Sequence, residues 1–163
     1  MTPPVPAGPY PPTNELVAVA WLSQRVAGLT AAIVGTGLPK DTTKWADTGF
    51  LQVQALPSGT AEVDLPIRRP RLQLDGWATA NTDGTSSSIK PPWNLANRLL
   101  ELVRIATEDA QTGYYGRPVD LPANYTAARV QAAYFITEPE RVLDDPSGYA
   151  RFTVDLALDW VRA

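Results

Sequence analysis

A change of hydrophobic period between Arg69 and Ala110 constrains this chain more than any other stretch. From Arg69 to Ala78 the residues alternate: Leu72, Leu74 and Ala78 share one face, and Gln73, Asp75 and Trp77 share the other. That is a strand with one apolar side. After a polar loop, Pro91-Pro92-Trp93 opens a segment in which Ala96, Leu99, Leu100, Val103 and Ala106 recur at helical spacing. Proline is tolerated there because the first-turn N–H groups have no intrahelical acceptor. Asn97, Arg98, Glu101, Arg104 and Glu108 form the wet side. A half-apolar strand followed by an amphipathic helix predicts a two-layer unit, the helix laid on the greasy side of a sheet.

The flanking sequence extends this unit. Thr13 or Asn14 caps a helix running to about Leu29, with Leu16, Val19, Leu22, Val26 and Leu29 on one face. Ala31 to Pro39 can hold a short strand, weakened by Gly35 and Gly37. Phe50 to Leu56 alternates with Leu51, Val53 and Ala55 inward, and the turn at 57–60 sets it antiparallel to the strand at 70–80. Glu62 to Ile67 reads as an edge segment because of Pro66. In Ala128 to Ile136 the inward set is Val130, Ala132, Tyr134 and Ile136. The closing segment is the strongest strand, with Phe152, Val154, Leu156, Leu158 and Trp160 inward. The order predicts an α+β fold: an antiparallel-rich sheet with two α-helices packed on one face, since doubly covered strands would read as continuous apolar runs.

Pro3, Pro4, Pro6, Pro9, Pro11 and Pro12 set residues 1–13 apart as an extended arm, leaving 14–163 as a single domain. The arm is either a disordered tail or a strap lying on a neighbouring subunit with Tyr10 as its anchor. At 163 residues the chain can bury a sizeable core without disulfides or metal.

Composition narrows the chemistry. A net charge of −3 has the wrong sign for a dedicated nucleic-acid binder. Cysteine and histidine are both missing, which removes the thiolate nucleophile, the commonest general base and the commonest transition-metal ligand. Ser86, Ser87 and Ser88 have no histidine to activate them and no recognisable dyad spacing with Lys40 or Lys90. The loop at 81–88 lacks a Gly-Lys-Ser/Thr ending and is no phosphate cradle. Asp75, Asp155 and Asp159 stand on outward strand faces; they are either a solvated or interfacial face, or the acidic set of a small metal-dependent hydrolase or nuclease. Arg68, Arg69 and Arg71 form a basic cluster that suits solvent, carboxylate partners or phosphate.

Five tryptophans are many for this length. Trp21 and Trp160 suit the core, whereas Trp45 falls in a loop and Trp77 on the outward side of a strand. An outward indole needs a cover, and interfaces favour Trp, Tyr and Arg. We therefore expect the outward sheet face and the long segment 111–125 to meet other subunits. The candidate contacts are Tyr10, Trp45, Arg68, Arg69, Asp75, Trp77, Tyr114, Tyr115, Arg117 and Asp155.

The ordered set of features resembles the tail terminator proteins of long-tailed phages, especially those infecting actinobacteria. The segments that carry the likeness are the Pro-rich start leading to Leu16-Val17-Ala18-Val19-Ala20-Trp21-Leu22, Gly37-Leu38-Pro39-Lys40, Phe50-Leu51-Gln52-Val53-Gln54, Arg69 to Trp77, Pro91-Pro92-Trp93 and Trp160-Val161-Arg162. The resemblance implies a sheet backed by two helices and a homo-hexameric ring on the last ring of major tail tube protein. There it would end tail polymerisation and join the tail to the head connector or stopper protein. It implies a virion location at the head–tail junction, host cytoplasm during assembly, no cofactor and no catalytic motif. It also implies DNA that passes without sequence-specific binding; no membrane is expected from the residues themselves, since no apolar run approaches the roughly 18–20 residues of a span. A mildly acidic wall suits such a channel, since lysines would grip phosphates. The neighbouring head–tail connector (neck) protein is the other reading of the same pattern.

Overall fold

The computed structural model describes residues 3–4, 8–57, 66–79, 92–108 and 115–163. The expected turn at 57–60 beyond Pro57, the segment 62–65, the loop 81–88 with its serines, Lys90 and Tyr114 lie outside the described residues.

Among the described residues there are eight strands and two helices; the helices and the longer strands follow the predicted order, while two short strands, at 118–119 and 140–141, fall where no strand was expected. The elements are α1 (Asn14–Arg25), β1 (Val34–Gly35), β2 (Phe50–Leu56), β3 (Ile67–Arg68), β4 (Arg71–Ala78), α2 (Trp93–Glu108), β5 (Pro118–Val119), β6 (Ala128–Phe135), β7 (Glu140–Arg141) and β8 (Ala150–Arg162). The sheet order is β1-β2-β4-β8-β6-β5. Only β1 and β2 run parallel among these pairs; β2 and β4 are antiparallel neighbours, Val53 opposite Leu74. The fold is α+β, a mixed, curled sheet with two helices.

β8 is the spine. On one side it pairs with β4 and then, past Pro70, with β3; on the other it pairs with β6 and β7. Its inward set is buried or half-buried against the helices, with Val154, Leu156, Leu158 and Trp160 among the most buried residues. Each such side chain contributes about 1.5–3 kcal/mol of burial before chain entropy is counted. The indole N–H of Trp160 donates to Asn14 Oδ1 at 2.9 Å, tying the start of α1 to this strand.

α2 lies across β4, β8 and β6, while α1 touches β1 and β2 near one end of the strand order and β5 and β6 at the other. The sheet therefore curls around α1. Thr13 is the N-cap, accepting from the Leu16 amide at 3.1 Å. The helix stops at Arg25 and not near Leu29: its C-cap Val26 is already extended, with ψ 116°, and Gly28 then takes a positive φ of 88° as the chain turns away. Its buried face also differs from the expected one. Val17, Ala18, Trp21 and Leu22 face the core, whereas Leu16 and Val19 remain half-open. The curl surrounds α1 more broadly than a flat sheet would, so the buried arc rotates toward Trp21.

β6 corrects a second expectation. A bulge between Val130 and Ala132 shifts the pairing against β8. One extra residue sends every later side chain to the opposite face. Ala133 is buried and Phe135 packs on the core, while Tyr134 and Ile136 are 56% and 44% exposed.

Candidate interaction surface

The outward side of the sheet gathers residues from three adjacent strands, and its register fixes who meets whom. Trp77 lies opposite Phe50 on β2 and Arg151 on β8; Asp75 lies opposite Gln52 and Thr153; Gln73 lies opposite Gln54 and Asp155. Burial falls from the Trp77 end to the Arg69 end.

At the first end the chain covers itself. The segment between β1 and β2 folds back and lays Trp45 beside Phe50 and Trp77, with Leu38 and Tyr149 at the margin. Trp45 is 1% exposed and Trp77 8%. The Trp45 ring meets Tyr149 edge-on at 5.6 Å, and its N–H donates to the Pro39 carbonyl at 3.2 Å. The Trp77 N–H donates to Gln52 Oε1 at 3.0 Å. The cover expected from another subunit is thus supplied by this chain's own loop, because a large apolar indole gains burial from whichever apolar segment lies within reach. Trp45 and Trp77 offer little surface to a partner.

Asp75 is buried as well, at 1% exposure. Arg151 holds it with a fork: Nε lies 3.3 Å from Oδ1 and Nη2 3.2 Å from Oδ2, and the Gln73 amide donates to both oxygens. The same guanidinium sits 4.9 Å above the Trp77 ring and donates to Asp145 Oδ2 at 3.4 Å. Burial pushes the Asp145 carboxyl up, but hydrogen bonds from Ser147 and Arg151 outweigh it and hold it below its ordinary value. Arg151 is therefore the organising residue of this end. The sequence signal for it was its place on the polar side of β8, but its partners depend on register.

Farther along, the pairs open toward water. Arg71 binds Asp155 through Nε at 3.0 Å and through Nη2, and Arg69 faces Asp159 at 3.8 Å. Tyr134 lies opposite Ala157 between these pairs, and the Ile136 amide donates to the Asp155 carbonyl. The bulge thus brings an exposed aromatic and an exposed aliphatic side chain to a rim of preformed ion pairs. Sequence alternation hid both, since it placed them in the core.

The remaining candidates are scattered. Arg68 is exposed beside the end of β8. Arg117 is exposed at the start of β5. Tyr115 is structural: it stacks on Trp21 at 6.1 Å, and its hydroxyl lies 3.1 Å from the Thr107 carbonyl and 3.2 Å from that of Ala133. Burial pushes its hydroxyl pKa up, partly offset by the bond to Ala133. Tyr10 is docked on its own chain, its amide donating to Asn124 O at 2.7 Å and its carbonyl accepting from Thr126 at 2.8 Å.

In chemical terms, the three aspartates of the hydrolase alternative each face an arginine: Asp75 with Arg151, Asp155 with Arg71, Asp159 with Arg69. Among the described residues no group of three or more acidic or other ligand side chains is placed to hold a metal ion. No helix of the described residues is long and apolar enough to cross a membrane. A cleft of about 200 Å³ between α2 and the 28–48 segment has Asp47 and Arg98 on its walls and brings no nucleophile and base together. The chain matches no protein-family model and no curated protein.

Proposed function

We propose that this protein is a ring-forming structural protein of the phage virion, acting as a tail terminator that caps the tail tube and offers a surface for the head connector. The observation that carries the reading is the open half of the outward sheet face. There Tyr134 and Ile136 stand exposed among the Arg71–Asp155 and Arg69–Asp159 pairs. A central apolar contact rimmed by oriented charges is the anatomy of a protein–protein contact, whereas catalysis would need reactive groups free to converge. The arginine forks tie up the carboxylates that the hydrolase reading would use. The architecture supports the reading too, since the resemblance implied a sheet backed by two helices.

In this role binding energy comes from covering Tyr134 and Ile136, and the ion pairs fix orientation, because charge complementarity selects register more than it adds affinity. Copies joined head to tail through unlike faces close into a ring when the rotation between them permits. Light scattering on the purified protein tests this. The expected mass is several times the 17.6 kDa chain, at high concentration or with tail tube protein present. A strictly monomeric protein whose magnesium-dependent hydrolysis is lost on changing Asp75, Asp155 and Asp159 would overturn it. Imaging the protein in whole virions separates terminator from connector.

A further inference from the structure

Where β8 ends, four neighbouring strands bring together arginines that make no ion pair among the described residues. Arg68 on β3 lies opposite Trp160, Arg129 on β6 lies opposite Val161, and Arg162 closes β8 opposite Ala128. Arg117 directly precedes Pro118 of β5, which lies opposite Arg129. All four therefore sit within about one residue of the Val161 row. Neighbouring strands are roughly 4.8 Å apart, so the band from β3 to β5 is roughly 14 Å wide. Arg25, the last residue of α1, reaches the same place, its Nη2 donating to the Pro118 carbonyl at 2.7 Å. The Nε atoms of Arg25 and Arg129 are buried without an acceptor. Packed stems thus hold these two guanidinium groups with donors left over, while Arg68, Arg117 and Arg162 are exposed.

Carboxylates offset little of this charge. Asp159, two residues along β8 from Val161, already faces Arg69 at 3.8 Å. Asp120 is exposed just past β5. Even with a terminal carboxylate at Ala163 counted, five guanidinium groups stand against two carboxylates. The negative net charge of the chain hides this excess, because the acidic residues lie elsewhere. The mildly acidic wall expected from net charge stops at this band.

Arginine forks suit two kinds of acceptor, the carboxylates of an acidic protein and phosphates. A protein contact has an apolar centre. Of the exposed large apolar side chains among the described residues, only Tyr10 comes near, 37% exposed and held against Thr126 two residues before β6. A strongly cationic band with no apolar centre has the composition of a nucleic-acid contact. Along one strand of B-form DNA the charges recur every 3.4 Å, so a width of roughly 14 Å covers about four phosphates.

We propose that this arginine band binds the phosphate backbone of duplex DNA without regard to sequence. The inference goes beyond the ring reading, which needs no such contact.

Fluorescence polarisation of labelled 20-base-pair duplexes with the full-length protein tests it. Two duplexes of unrelated sequence should bind within about twofold of one another. Affinity should fall about 40-fold between 50 and 200 mM salt, as expected when about three phosphates are neutralised. Arg68→Ala/Arg162→Ala should weaken binding at least tenfold and flatten the salt slope by about two. Lys40→Ala/Lys44→Ala removes the same charge from the segment over the Trp77 end of the sheet and should weaken it less than threefold. All four positions are exposed, so these changes do not threaten folding. Arg117→Ala, an exposed change on a different strand, should flatten the slope by about one. No binding at 50 mM salt overturns the proposal, as does an equal loss in the arginine and lysine variants. Tighter binding of a 20-residue poly-glutamate peptide than of the duplexes overturns it too, and gives the band to an acidic protein. None of these outcomes bears on the mass in solution, which tests the ring.

Discussion

Gly76 and Ala96 meet backbone to backbone: a β-carbon on Gly76 would lie 2.3 Å from the Ala96 carbonyl oxygen and 3.6 Å from Leu100. No rotamer change relieves a clash with main chain, so α2 would have to lift from β4. We expect Gly76→Ala to cost at least about 3 kcal/mol, the upper part of the range for overpacked cores. The shift in urea midpoint measures it, and a change below about 1 kcal/mol would show that α2 does not rest on this strand.

Arg151 is the second vulnerable point. Removing it strands Asp75, which has almost no access to water. Breaking a buried pair costs about 3–5 kcal/mol; because Arg151 is itself partly exposed, we expect about 3 kcal/mol for Arg151→Ala. Arg151→Lys should recover only part of this, since an ammonium cannot reproduce the fork.

Trp45→Ala should cost about 3–5 kcal/mol, as for other buried aromatic truncations. It should also shift the remaining tryptophan emission to the red by uncovering Trp77. An unchanged spectrum would mean that the 36–49 segment does not lie on the sheet.

Acid should loosen the turn at Asp145. Its folded pKa is depressed, so its contribution is present above the unfolded value of about 4 and is lost as pH falls through the folded value. Ser147→Ala removes two of the bonds responsible, at a cost of about 1 kcal/mol near neutrality. The stability gap between the two proteins should close as pH drops below about 4. A gap constant from pH 7 to 2 would contradict the assignment.

Tyr134→Asp and Ile136→Asp change exposed positions and should leave stability within about 0.5 kcal/mol. Under the ring reading they should lower the mass in solution at equal concentration. Unchanged assembly in both variants would count against the open half of the sheet as a contact.

The pattern of residues was sufficient for both helices, for β2, β4 and β8, and for the antiparallel pairing of β2 with β4, because each has an apolar side of regular period. It failed at β6, where a bulge after Val130 leaves no mark in the alternation, and at α1, where the curl of the sheet decides which side is buried. For the outward face, Asp75, Asp155 and Trp77 were placed on the correct side. Their partners were not legible, because Arg71, Arg151 and Trp45 reach them through strand register and a folded-back loop. Tyr134 and Ile136 were missed for the same reason as the bulge.

The position of β8 has a consequence for biosynthesis. The strands that hydrogen-bond to it all precede it in the chain, so the sheet has no middle until residues 150–162 have left the ribosome. Nascent β4 and β6 must wait with bare edges, which are prone to sticking to other chains. Slowing translation should therefore do little for yield, whereas a chaperone that shields unpaired strands should raise it.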